Sequence, residues 1–325
     1  MVAMDWSRIA RNRVDPAKPS GAYADLDSLI RVQFKVSDFS LRPTQPVTSI
    51  LSGRYGSRLR GRGLNFEEVR RYQQGDDVRT IDWKITARTR SPHVRVYTEE
   101  KDRPVLAVID QRINMFFGTR TRFKSVTAAE IGAIAAWRAV DVGDRIGAIV
   151  FGDGEMSDVV PRNSRQNVMS ILAEIIRFNH RLRADSDRQA DPSMLNRALQ
   201  RALQMAHHDA LIVLVSDFFG IDEQSEKLIT RLAAHNDVLA LYPFDPMREA
   251  PPLRNVPVGD GRHEMEIDFS HQSTRTRVLD DYRDEQARIT GFLRRLSAPM
   301  LMIDNEHDVS DQLRTYLGVS PRPGR

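Results

Sequence analysis

The eleven residues Pro104-Val105-Leu106-Ala107-Val108-Ile109-Asp110-Gln111-Arg112-Ile113-Asn114 constrain this chain more than any other stretch. An unbroken apolar run bounded by charge suits a strand covered on both faces. The run breaks abruptly at a carboxylate, Asp110. A second run, Ala210-Leu211-Ile212-Val213-Leu214-Val215-Ser216-Asp217, ends the same way. Ligands of open α/β sheets bind just beyond the carboxyl ends of such strands. If the two strands are neighbours, Asp110 and Asp217 face one crevice. Two close carboxylates there call for a cation or a shared proton.

The chain has 325 residues, 41% of them hydrophobic, enough for one large domain or two modest ones. It contains no run of eighteen apolar residues, so no membrane span is expected. Met1 to Asp15 is polar and lacks the apolar centre of a secretory signal. There is no cysteine, which excludes disulfides and thiolate metal sites and fits a cytoplasmic protein. Of 48 basic residues, 42 are Arg and six are Lys. With 44 acids interspersed and a net charge of +4, most arginines can be paired internally. A nucleic-acid surface is expected to be more lopsided in charge.

Leu26, Leu29, Ile30 and Phe34 have helical spacing, and Pro43 and Pro46 end that unit. Ser52 to Gly63 then sets four arginines among four glycines. Such a stretch suits a phosphate- or polymer-binding loop, a protein contact, or a turn with solvated charge. Its spacing matches no P-loop. Next comes Gly75-Asp76-Asp77-Val78-Arg79-Thr80-Ile81-Asp82-Trp83, preceded by Arg70 and Tyr72 and followed by Ala87-Arg88. Asp76, Asp77 and Asp82 can pair with Arg70, Arg79 and Arg88, while Val78, Ile81 and Trp83 can pack inward. An ion-pair network is expected here, with an acidic metal or catalytic site as the alternative. Ser91 to Tyr97 alternates as a half-buried strand.

Beyond Asp110, helical and strand patterns alternate. Helices are expected over Thr127 to Val140, Val168 to Phe178, Pro192 to Met205, Asp222 to Ala234, Arg275 to Leu296 and Val309 to Leu317. Strands are expected over Arg145 to Phe151, Val238 to Tyr242 and Pro299 to Ile303, with Met156 to Val160 returning antiparallel after Gly152-Asp153-Gly154. Pro243 to His263, with five prolines, reads as an irregular excursion. The alternation predicts a mainly parallel α/β sheet with helices on both faces. Three regions follow: 1–50, a polar segment and helix; 51–103, the block with a strand; 104–325, the α/β domain.

The Gly-Asp-Asp-x-Arg-x-Ile-Asp-Trp signature is followed by a strand ending in aspartate, then Met115 to Gly118 and Gly143 to Arg145. This order resembles a bacterial family called domain of unknown function 58. That family usually has Glu where this chain has Asn65. The family is similar to the von Willebrand factor A fold, which implies a Rossmann-type sheet and a metal-ion-dependent adhesion site. Carried over by position, the resemblance implies Asp110, Asn114, Ser193 and Asp217 as the ligands of a degenerate site. The two serines expected after Asp110 are replaced by Arg112 and Asn114. An arginine is no cation ligand and repels a metal. Arg112 is therefore expected to fill the crevice and donate to both carboxylates in place of Mg²⁺, and no other cofactor is implied.

The histidines suggest no metal enzyme. His207 and His208 are adjacent on an expected helix and point about 100° apart, and no His-x-x-x-His spacing occurs. No nucleophile elbow is present either. The resemblance implies a non-enzymatic protein-interaction adaptor working with a MoxR-type AAA+ ATPase, or with other von Willebrand A proteins, on a client protein. An Arg-rich nucleic-acid-binding protein is the alternative, and a Mg²⁺-dependent hydrolase a second one.

Overall fold

A computed structural model describes residues 21–35, 64–73, 81–99, 104–184, 190–253, 255–259 and 264–317. The Gly/Arg stretch 52–63 and Asp76, Asp77 and Arg79 lie outside the described residues, as does the side chain of Arg70. The chain forms two compact units, one of Tyr55–Asp102 and one of Met1–Arg54 with Arg103–Arg325.

The larger unit is built on a six-stranded sheet. Its strands are β3 (Pro104–Asp110), β4 (Arg145–Phe151), β5 (Met156–Arg162), β6 (Leu211–Val215), β7 (Asp237–Phe244) and β10 (Met300–Asp304), in the spatial order β10-β7-β6-β3-β4-β5. All neighbours are parallel except β5, which returns antiparallel along β4. β3 lies at the point where the order reverses, between β4 and β6, with Ile109 opposite Val150 and Val215.

The period of two along β3 divides the core. Val105, Ala107 and Ile109 pack with α3 (Lys124–Asp141) and α4 (Arg165–Asn179). Leu106 and Val108 pack with α5 (Ser193–Met205), α6 (Glu223–Ala233) and the end of α7 (Gln272–Arg295). Each large aliphatic side chain buried this way contributes about 1.5–3 kcal/mol. The helix α3 approaches the sheet closely at Gly132, where a Cβ would stand 2.5 Å from Ile109 Cδ1. Pro161, which lacks an N–H, sits on the edge strand β5, where such a residue is tolerated.

The N-terminal helix α1 (Leu26–Arg31) joins this core. Asp25 caps it, and Leu29 and Val32 are buried against the α3 side. Trp137 Nε1 donates to the Leu29 carbonyl at 3.0 Å. Lys35 reaches Asp308 Oδ2 at 2.6 Å, beside the last helix, α8 (Val309–Tyr316).

In the smaller unit, β1 (Leu64–Arg71) pairs antiparallel with β2 (His93–Glu99). Between them runs a short helix, α2 (Trp83–Thr89), that the sequence pattern did not announce. Asp82 starts it, accepting from the amides of Lys84 and Ile85 at 3.0 and 3.1 Å. Trp83 does not pack inward as expected. It is 69% exposed, because as first residue of the helix it lies opposite the side facing β2.

Two further departures concern the larger unit. The proline-rich excursion holds a strand, β8 (Asn255–Gly259), which pairs antiparallel with β9 (Glu264–Asp268) just beyond it. The helix before β6 ends at Met205, so His207 and His208 lie in the connection rather than on a helix. His208 meets His235 edge to face, with ring centroids 4.7 Å apart. Among the described residues no helix is long and apolar enough to cross a membrane.

Candidate functional site

β3 and β6 are adjacent, so their carboxyl ends bring Asp110 and the Ser216-Asp217 step together. Asp110 is fully buried. Arg112, two residues on and equally buried, folds back onto it. Its Nη2 lies 2.7 Å from Asp110 Oδ2, and its Nε lies 3.1 and 3.2 Å from the two carboxylate oxygens. The Arg112 amide adds a bond of 3.0 Å to Oδ1, and Ser216 Oγ donates to Oδ2 at 2.7 Å. Burial works against the guanidinium, but the charge and hydrogen bonds of Asp110, with the charges of Asp217 and Asp153, outweigh it, so the Arg112 pKa is raised. The other arm, Nη1, donates to the carbonyls of Asp191 at 3.2 Å and Phe219 at 3.1 Å. One side chain thus joins the loops that follow β3, precede α5 and follow β6.

Asp217 has a different cation. Lys124 Nζ, at the first position of α3, lies 2.6 Å from Asp217 Oδ2, and both side chains are sealed from solvent. Asn114 Nδ2 and the Phe219 amide donate to Oδ1 at 2.8 and 3.1 Å. Burial pushes the Asp217 pKa up most strongly, yet Lys124 and Arg112 together hold it below the usual carboxylate range. The expectation that Arg112 would donate to both carboxylates is corrected accordingly. Its guanidinium bonds Asp110, and a lysine takes the second place.

The surrounding loops are fixed by more carboxylates. Asp153, in the turn between β4 and β5, accepts from the amides of Ile113 at 2.7 Å and Asp191 at 2.9 Å. Burial raises its pKa. Ser193 does not bond either crevice carboxylate. Its hydroxyl donates to Asp191 Oδ1 at 2.7 Å, from an exposed position at the start of α5. At the ends of β7 and β10, buried Asp245 accepts from the amide and hydroxyl of Thr119 and from Asn305 Nδ2, at 2.7 to 2.9 Å. Gln111, just past Asp110, donates to the Ser125 carbonyl and accepts from Asn179, which in turn binds the Ala24 amide.

Mg²⁺ takes hard oxygen ligands in an octahedron at 2.0–2.1 Å. The arrangement does not fit that demand. Each carboxylate already carries a nitrogen cation at hydrogen-bonding distance, and Ser193 is engaged elsewhere. Among the described residues no three His, Cys, Asp or Glu come together to hold a metal. Asn114 Oδ1, beside Asp217, is buried and without a hydrogen-bond partner among the described residues.

Of the signature residues, Asp82 is the helix cap, and Trp83 and Arg88 are exposed on α2. Sequence reasoning missed Lys124, Ser216, Asp153 and Asp245. Lys124 left a faint signal: it is one of six lysines in a chain of 42 arginines and stands at a helix start.

A family model described as protein of unknown function DUF58 matches residues 68–288, and the chain belongs to that family. It is 28% identical over 295 residues to an uncharacterized protein of Mycobacterium tuberculosis, Rv1480, covering 89% of this chain and 90% of that one. An uncharacterized protein of Mycobacterium bovis, Mb1516, matches equally well. Among solved structures, a conserved hypothetical protein BatB from Bacteroides thetaiotaomicron aligns with a TM-score of 0.39 and 12% identity, over 66% of this chain and 97% of that one. An aerotolerance-related membrane protein from Bacteroides fragilis gives 0.38 and 12%, over 66% and 98%. The fold is an α/β sheet of six mostly parallel strands with helices on both faces.

Proposed function

We propose that this DUF58 chain is a non-enzymatic protein-interaction adaptor of the cytoplasm that works with a MoxR-type AAA+ ATPase on a client protein. Other von Willebrand A proteins are further partners in this reading. The observation that supports it best is the filled crevice. Where doubly wound folds bind ligands, both carboxylates are paired with the chain's own cations and sealed from solvent. A buried carboxylate held by Arg or Lys is neither a free base nor a metal ligand. The same bonds fix three loops in one arrangement, which suits a protein that presents surfaces. The choice of a MoxR-type ATPase rests on the resemblance carried by the Gly-Asp-Asp signature.

The test is direct binding between the purified protein and the MoxR-type ATPase of the same genome, by sedimentation at physiological salt. Complex formation at micromolar concentration, with a change in ATP turnover, is expected. Parallel titrations use duplex and single-stranded nucleic acid at low and moderate salt, since phosphate binding falls steeply with salt. Submicromolar nucleic-acid affinity that survives physiological salt, without ATPase binding, would overturn the adaptor reading.

A further inference from the structure

We propose that the outward face of α2, formed by Trp83, Lys84, Ala87 and Arg88, docks an acidic segment of a protein partner. The proposal deepens the adaptor reading and rests on it, by naming a surface through which a partner is held.

The helix has two unlike sides. Its inner side is tied to β2: the His93 amide donates to Thr86 Oγ1 at 3.0 Å, and Thr89 Oγ1 lies 3.0 Å from His93 Nδ1. Ile85 and Thr86 are half-buried there. Its start is fixed by Asp82, whose carboxylate turns into the cap. The outer side carries Trp83, Lys84, Ala87 and Arg88, all exposed. Trp83 with Ala87, and Lys84 with Arg88, are four residues apart and so stack along the helix in neighbouring rows.

An indole left in water forfeits a large burial, and Trp is among the residues that dominate binding energy at interfaces. Among the side chains of this unit whose burial is described, Trp83 is the large hydrophobic one that is exposed. The flanking charge gives the chemistry of what covers it. From Trp83 to Thr98 the sequence has Lys84, Arg88, Arg90 and Arg95 and no Asp or Glu. The unit Tyr55–Asp102 has eleven Lys and Arg against eight Asp and Glu, so it carries +3 of the chain's +4. The complement is an apolar side chain or pocket for the indole, with carboxylates set to meet Lys84 and the fork of Arg88. Nucleic acid fits less well. Single-strand binding uses successive aromatic platforms along a basic groove, and this face offers one indole.

The experiment measures anisotropy of short labelled peptides that place Leu and Phe in an Asp/Glu background. The same apolar residues in a Lys/Arg background, a single-stranded oligonucleotide and phosphatidylserine vesicles are the comparison probes. The full chain should bind the acidic peptides in preference to all three. Trp83→Ala and the pair Lys84→Glu with Arg88→Glu should each weaken binding at least about tenfold, and Trp83→Phe less. Melting should match the wild type, since these side chains are exposed. Equal binding of the basic peptides, or undiminished binding by melted-alike variants, overturns the proposal. Tighter binding of oligonucleotide or vesicles, lost in the same variants, reassigns the face to phosphate. If the Trp83→Ala protein still binds the ATPase fully, the docking face fails while the adaptor reading stands.

Discussion

The ammonium of Lys124 lies 2.6 Å from the carboxylate of Asp217, and the two residues are 2% and 6% exposed. They are 93 positions apart in sequence. A cation at the first position of a helix opposes the helix dipole, so Lys124 is held there by its partner rather than by α3. With Arg112 on Asp110, each crevice carboxylate has one cation of its own. A buried pair costs desolvation and returns it only with good geometry and further hydrogen bonds. Asn114, Ser216 and the Phe219 amide supply those bonds.

Removing one partner of a buried pair strands the other. Lys124→Met is therefore expected to cost about 3–5 kcal/mol of stability. Adding Asp217→Leu to it should restore most of that loss, because the stranded charge is gone. Urea unfolding of the wild type, both single variants and the double variant checks this. A Lys124→Met protein as stable as the wild type would show that the pair does not support the fold.

Metal binding should be governed by both cations. The wild type is expected to bind neither Mg²⁺ nor Mn²⁺ in the millimolar range. Arg112→Ser with Asn114→Ser frees Asp110 but leaves Lys124 on Asp217. A gain of binding is therefore expected only when Lys124→Ser is added. Isothermal calorimetry reads each case, and chelator-reversible Mg²⁺ binding by the unaltered protein would refute it.

The depressed pKa of Asp217 sets a sign for pH dependence. A carboxylate whose folded pKa lies below its unfolded value, about 3.9, stabilises the fold above that value. Its contribution is lost as pH falls through the folded pKa. Asp304 and Asp308, also depressed against the push of burial, act in the same direction. Unfolding midpoints are thus expected to fall steeply below about pH 4. In Asp217→Asn the profile should start lower at neutral pH and fall less. An unchanged profile in that variant would exclude Asp217 as a contributor.

Asp82→Ala removes the cap of α2 and should cost about 1 kcal/mol. The amides of Lys84 and Ile85, which donate to Asp82, should exchange faster with solvent. Asp82→Asn, still a good cap, should largely preserve both. Hydrogen exchange read by mass spectrometry distinguishes the two variants. Equal protection in Asp82→Ala would mean that other contacts hold the helix start.

The sheet was legible because β3, β4 and β6 are covered on both faces and so read as continuous apolar runs. Period and turn chemistry then supplied the antiparallel return of β5. The partner of Asp217 was not legible, since only the fold brings Lys124 to it. Asp245 was hidden in the same way, because its partners Thr119 and Asn305 come from two other loops. Trp83 misled because apolar character alone does not say which side of a seven-residue helix a residue occupies. The β8–β9 hairpin was obscured by prolines, although a two-stranded ribbon has outer edges where Pro257 does no harm.

The bond between Lys35 and Asp308 joins residues 273 positions apart, and Arg314 donates to the Lys35 carbonyl from the last helix. The turn that follows α1 is thus tied to the start of α8 and to α8 itself. At about 5–20 residues per second, a ribosome needs roughly 14–55 s to span that interval. Through that time Lys35 lacks both of these partners. Translation speed late in the message therefore sets how long this end of the fold waits to be tied down.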